Sequence, residues 1–192
     1  MTKFILHGGF TRVDNELNRS FFRELVKDVP SGGTVLLVYF ARKNDEIEVR
    51  FKQDKELIQN QTNNKSFNFV LATNDSFINQ VKESNVIFIS GGDTDKLLTT
   101  LKEYSDFKEA IKYKTVAGSS AGAYVFSTFY FSNSRNENFK GLGILPIRII
   151  CHYQSTNPMF NKKNDPIELM ENCPDNLELV ILKDYEWVVK SI

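Results

Sequence analysis

The stretch 115–126, TVAGSSAGAYVF, changes character at its midpoint. A β-favouring run, Thr115-Val116-Ala117, meets the small residues Gly118-Ser119-Ser120-Ala121-Gly122 and leaves as a helix-compatible segment. A backbone that folds sharply at a strand-to-helix junction needs small neighbours around the bend. The stretch therefore reads as a strand running straight into a helix, the unit from which parallel α/β sheets are assembled. Gly118-x-Ser120-x-Gly122 also matches G-x-S-x-G, in which a strained turn exposes the serine hydroxyl and brings the next amide, of Ala121, near a reacting carbonyl. Ser119 lacks glycines two residues to either side and fits less well. The alternative is a glycine-rich turn with a serine helix cap, and such pentapeptides are common enough that the pattern alone does not separate the two.

Strand–helix alternation continues along the chain. KFILH (3–7), TVLLVYF (34–40), NFVLA (68–72) and VIFIS (86–90) are short apolar runs rich in β-formers. Their near-continuous hydrophobicity suits strands covered on both faces. Between them, Leu17, Phe21 and Leu25 recur at helical spacing, with Asp14 as the expected cap. Ile47 and Phe51 mark a second helix, and DSFINQVKES (75–84) and DTDKLLTTLKEY (93–104) two more. The pattern predicts a doubly wound α/β fold, with a mostly parallel sheet, helices on both faces and a ligand site at the carboxyl ends of the strands. The segment 60–66 reads as a surface loop, 153–178 is polar and poorly periodic, and no internal repeat is present.

At 192 residues the chain is expected to be a single domain, 1–192. Lys plus Arg balance Asp plus Glu at 24 each, with no basic block, so neither nucleic acid nor a membrane surface is an expected partner. The start, MTKFILHGGF, lacks the apolar core and cleavage site of a signal peptide, and no run approaches a membrane span. Two cysteines, Cys151 and Cys173, make no disulfide framework, and a cytoplasmic setting is the simpler expectation. With only His7 and His152 and no paired Cys/His spacing, no metal or other cofactor is expected.

If Ser120 is a nucleophile it needs a base, and the choice is narrow. His152 follows PIRIIC, an expected strand, and so sits where strand ends meet loops; His7 ends another strand beside Gly8-Gly9 and reads as structural. An acid must hold the imidazole. Between Ser120 and His152 the only acid is Glu137; beyond His152, Asp184 closes the apolar run LELVILKD and is the preferred choice. Glu186 is the reserve, on the expectation that alternate strand residues share a face. Gly91-Gly92 follows a strand and precedes a helix start at Asp93 or Thr94, and the Gly92 amide would supply a second oxyanion donor beside Ala121. A plain turn or an anion-binding loop is the other reading of that fragment.

Together ISGGDTDKLL (89–98), AGSSAGAYVFS (117–127), GLGILPIRIICHY (141–153) and VILKDYEWVV (180–189) resemble the dipeptidase E family of serine peptidases, which includes aspartyl dipeptidases and is related to cyanophycinase. The resemblance implies a fold like that of class I glutamine amidotransferases. It implies Ser120 as nucleophile, His152 as base and Asp184 as acid, where the family has glutamate, with Gly92 and Ala121 as the oxyanion site. It implies a serine exopeptidase of small peptides, acting as a monomer or homodimer. The order Ser…His…acid departs from that of α/β-hydrolases, and a serine at the elbow departs from the cysteine of glutamine amidotransferases. A non-catalytic ligand-binding or assembly member of the same fold is the rival reading. It draws on the absence of the family's usual glycine after the acid and on the end of the chain at Ile192, where family members commonly add a hairpin. The aspartyl dipeptidases place a substrate-binding arginine in a region that here, at 162–171, contains none. Arg135, Arg148, Lys162 and Lys163 are the other cations on offer, and any preference for an N-terminal Asp is expected to be weak.

Overall fold

The structure is a computed structural model that describes residues 1–62, 64–160 and 165–192. In chain order it forms β1 (Lys3–His7), α1 (Glu16–Val26), β2 (Thr34–Val38), α2 (Asn44–Gln59), β3 (Asn68–Leu71), α3 (Phe77–Glu83), β4 (Val86–Ile89), α4 (Thr94–Lys102) and α5 (Phe107–Ala110). There follow β5 (Thr115–Ser119), α6 (Ala121–Tyr124), β6 (Ser127–Ser132), β7 (Glu137–Lys140), β8 (Leu145–Ile150), α7 (Pro166–Glu171), β9 (Glu178–Ile181) and β10 (Trp187–Ser191).

Six strands make the main sheet in the order β10-β1-β5-β4-β2-β3. Every pairing in it is parallel except that of β10 with β1. The apolar runs are unbroken because both faces are buried. On β2, Leu36 and Val38 join one core with Phe77 and Val81 of α3 and Leu97, Leu98 and Leu101 of α4. Val35 and Leu37 face the other way, onto Phe21, Phe22 and Leu25 of α1 and Ile58 of α2. Residues of period two thus feed two separate cores, which is the doubly wound arrangement the alternation predicts.

Three expectations are corrected. The cap of α1 is Asn15, whose side chain accepts from the Asn18 amide at 2.8 Å. Asp14 pairs instead with Arg19, and Leu17 is half-exposed. The helix after Ser120 lasts only four residues before the chain returns as β6. From there a second sheet, β7-β6-β8-β9, forms beside the first. Its inner residues Tyr130, Ile147 and Ile149 share the core of α6. Phe131 and Ile150 are covered by Met170 of α7. Lastly, the strand expected to close at Asp184 ends at Ile181, and Asp184 stands in the turn between β9 and β10.

Candidate active site

Ser120 sits between β5 and α6 with φ 52° and ψ −111°, a backbone state few non-glycine residues adopt. Close packing accounts for the glycines around it. A Cβ on Gly118 would lie 2.1 Å from the Gly122 carbonyl oxygen, and one on Gly122 would lie 2.1 Å from that of Ile89. The Ser120 amide donates to the His7 carbonyl at 2.9 Å, and the Ser120 carbonyl accepts from Ala123 and Tyr124. The bend is held from both sides.

His152 follows β8 and brings its ring to Ser120. Nε2 lies 3.0 Å from Ser120 Oγ and Nδ1 lies 2.6 Å from Asp184 Oδ1. A carboxylate can only accept, so Nδ1 carries the proton toward Asp184, and Nε2 is left to accept from the serine. The other carboxylate oxygen, Asp184 Oδ2, accepts from Ser155 Oγ at 2.6 Å, and Ser155 Oγ accepts in turn from the Asn157 amide at 3.2 Å. The imidazole stacks on Phe160, with centroids 4.0 Å apart, and meets Phe10 edge-on at 4.8 Å. Gly9 lies beneath it: a Cβ there would come within 2.0 Å of His152 Cε1. Two aromatic rings and a bare backbone therefore fix the ring's plane.

The segment after β1 organises these parts. Three successive carbonyls, of His7, Gly8 and Gly9, accept from the amides of Ser120, His152 and Tyr185 at 2.9, 3.2 and 3.2 Å. His7 is fully buried. Its Nδ1 accepts from the Gly9 amide at 2.9 Å, so Nε2 bears the proton and donates to Asn18 Oδ1 at 2.9 Å. Burial holds its pKa down to about 4, so the ring is neutral and the turn beneath His152 keeps its acceptor. His7 is structural, as the sequence predicts, but in the service of the site.

On the opposite side Gly91 packs against the elbow, where a Cβ would lie 3.1 Å from Ser120 Cβ. Within the described residues the amides of Gly92 and Ala121 have no acceptor. Asp93 caps α4 by accepting from Asp95 and Lys96. Strain gathers here: of the seven non-glycine residues with positive φ among the described residues, Phe10, Ser120, His152, Gln154 and Tyr185 belong to these segments. Tyr185, directly after Asp184, holds φ 70°, the left-handed conformation that favours glycine.

The remaining candidates lie apart. Glu186 is not on a strand face shared with Asp184; its carboxylate caps the turn by accepting from the Lys183 amide at 2.9 Å. Glu137 starts β7 and is exposed. Arg148 is buried and donates to the carbonyls of Met170 and Leu177, so it secures α7 and the start of β9. Arg135 is paired with Asp95 at 2.6 Å and lies over the ring of Phe139. Lys162 and Lys163 fall outside the described residues. Cys151, next to His152, is poorly suited to act as a nucleophile, because burial pushes its thiol pKa up. Sequence reasoning missed Phe10, Ser155 and Phe160. HGGF, a Gly-Gly pair closing a strand like the one at 91–92, was the available signal for the first; single residues at 155 and 160 carry none.

The parallel sheet flanked by helices is a fold shared with solved peptidase structures. A crystal structure of a peptidase from an acI-B1 Actinobacterium superposes with a TM-score of 0.70 at 22% identity, covering 99% of this chain and 83% of that one. A protein from Listeria monocytogenes EGD-e assigned as a peptidase E superposes with a TM-score of 0.66 at 17% identity, covering 100% and 99%. No curated protein sequence matches. The model of peptidase family S51 matches residues 4–191, and the chain belongs to that family. It is a peptidase. Among the described residues, no helix is long and apolar enough to cross a membrane.

Proposed function

We propose that the chain is a serine exopeptidase of small peptides, working through Ser120, His152 and Asp184. The observation that carries this is the continuous hydrogen-bonded series Ser120 Oγ–His152 Nε2 and His152 Nδ1–Asp184 Oδ1, at 3.0 and 2.6 Å. In the first step Ser120 Oγ attacks the scissile carbonyl carbon while His152 Nε2 takes its proton. Asp184 stabilises the imidazolium so formed and keeps the proton on Nδ1 in place. The amides of Gly92 and Ala121 donate to the oxyanion, each contribution being on the order of 3 kcal/mol. The C–N bond then breaks, and His152 returns its proton to the leaving amine. Water, deprotonated by the same nitrogen, releases the acyl group and restores Ser120. We take the partner to be a short peptide, with the enzyme a monomer or homodimer. We take the setting to be the cytoplasm, in keeping with two cysteines left as free thiols.

The test is covalent and direct. A fluorophosphonate should label Ser120 of the wild-type protein and spare Ser120→Ala, and a dipeptide library should release free amino acids only with the wild type. Equal labelling of Ser120→Ala would move the nucleophile elsewhere.

A further inference from the structure

Arg42 follows Ala41, the residue on which the Gly91-Gly92 turn rests. The Ala41 carbonyl accepts from the Asp93 amide at 2.9 Å and would lie 2.4 Å from a Cβ on Gly92. The Arg42 carbonyl is itself held by Lys96 Nζ at 2.6 Å. The base of this side chain is thus fixed beside the proposed oxyanion site.

Its guanidinium has no comparable anchor. The side chain is 24% exposed, and its Nε is buried without an acceptor. Within the described residues the group makes no hydrogen bond, and the one carboxylate within 4 Å, Glu46, stands 3.8 Å off. Glu46 is engaged elsewhere, by Arg50 Nε at 2.8 Å and Nη2 at 2.7 Å. Arg12, two residues beyond the Phe10 ring that meets His152, is near enough to repel the Arg42 charge. Its Nη2 pairs with the buried Asp54 at 2.6 Å, and its Nε also lacks an acceptor. Three guanidinium groups therefore share two carboxylates. Burial, then repulsion from Arg50 and Arg12, brings the Arg42 pKa down to about 10, the direction expected of a cation short of counter-charge.

Arginines that hold a fold together spend their donors on it, as Arg148 does on the carbonyls of Leu177 and Met170. A mostly buried guanidinium with unused donors calls for an anion from outside. We propose that Arg42, flanked by Arg12, is the subsite for a carboxylate of the substrate. The planar fork suits a carboxylate, which accepts two parallel N–H bonds. On the peptidase reading, on which this inference rests, that carboxylate is either the free C-terminus of a short peptide or an acidic side chain.

Binding to Ser120→Ala protein, measured by calorimetry, separates the subsite from catalysis. Two matched pairs serve as probes: Ala-Leu against Ala-Leu amide, and Asp-Leu against Asn-Leu. The charged member of at least one pair should bind at least tenfold more tightly, and the pair that responds identifies the source of the carboxylate. Adding Arg42→Gln should cut that preference below threefold while leaving the affinity for the neutral member unchanged. Arg42→Lys, which keeps the charge and loses the fork, should fall between, and Arg23→Gln on the surface of α1 should keep the full preference. Absence of discrimination in both pairs, or discrimination that survives Arg42→Gln and Arg42→Lys, overturns the proposal. Turnover of the same four peptides by wild type judges the peptidase reading separately. Carboxylate-dependent binding without turnover would keep the subsite and remove that reading, and turnover without carboxylate dependence would do the reverse.

Discussion

Ser155 Oγ donates to Asp184 Oδ2 at 2.6 Å, on the carboxylate oxygen that does not face His152. The acid is thereby held at both oxygens, one by the imidazole and one by a hydroxyl that the Asn157 amide fixes in turn. Ser155→Ala should lower kcat by about tenfold at a stability cost of about 1 kcal/mol, the net worth of one hydrogen bond. The carboxylate that loses this donor is free to turn away from the imidazole, so the loss should fall on kcat with KM changed less than about threefold. Ser155→Thr should restore both. An unchanged kcat with the stability loss alone would reduce Ser155 to a structural role.

Asp184 and Glu186 are two residues apart and face different partners. Asp184→Asn should retain the fold and lower kcat by roughly 10³- to 10⁴-fold, because an amide also favours the wrong imidazole tautomer. Glu186→Gln should change kcat less than about threefold, since the amide oxygen can still accept from Lys183. Steady-state kinetics on one dipeptide suffices, and the reverse ranking would reassign the acid.

Gly9→Ala should inactivate the enzyme more than it unfolds it. The added methyl would stand 2.0 Å from His152 Cε1, and Gly9 holds φ 125°, so the imidazole must leave its seat between Phe10 and Phe160. A displacement of about 1 Å in a reacting group costs on the order of 10²-fold. The expected result is a loss of at least that size in kcat, with thermal melting that remains cooperative and loss of fluorophosphonate labelling in parallel.

His7 makes stability depend on pH in a defined window. Its pKa is about 4 in the folded chain against 6.5 for the free side chain. Between those values the unfolded state binds a proton that the native state does not, so stability rises with pH through the window and falls as the solution is acidified. The loss begins as pH falls below 6.5 and amounts to about 3 kcal/mol by pH 4. Denaturant unfolding between pH 4 and 7 should show this slope in wild type, and His7→Gln should flatten it. An equal slope in both proteins would place the titrating group elsewhere.

Local pattern decided much of this protein. The runs at 3–7, 34–40, 68–72 and 86–90 are strands because apolar β-formers in unbroken succession are comfortable only where both faces are covered, and α1 to α4 supply that cover. The G-x-S-x-G elbow was legible for a similar reason: its glycines are demanded by backbone atoms a few residues away or on the adjoining strand. Asp184 over Glu186 was a preference that only the fold could turn into geometry, since the residues form a turn and not a strand face. The second sheet, the antiparallel return of β10 along β1, and the grip of Ser155 on Asp184 left no mark in the pattern. Nor did the guanidinium of Arg42, whose Nε is buried without an acceptor among the described residues. Hydrophobic periodicity records which residues avoid water, and neighbouring residues set it. The meeting of Ser120 with His152, and of His152 with Asp184, each spans 32 residues of chain. Such contacts are directional hydrogen bonds, made only once packing has brought distant strand ends to one edge of the sheet.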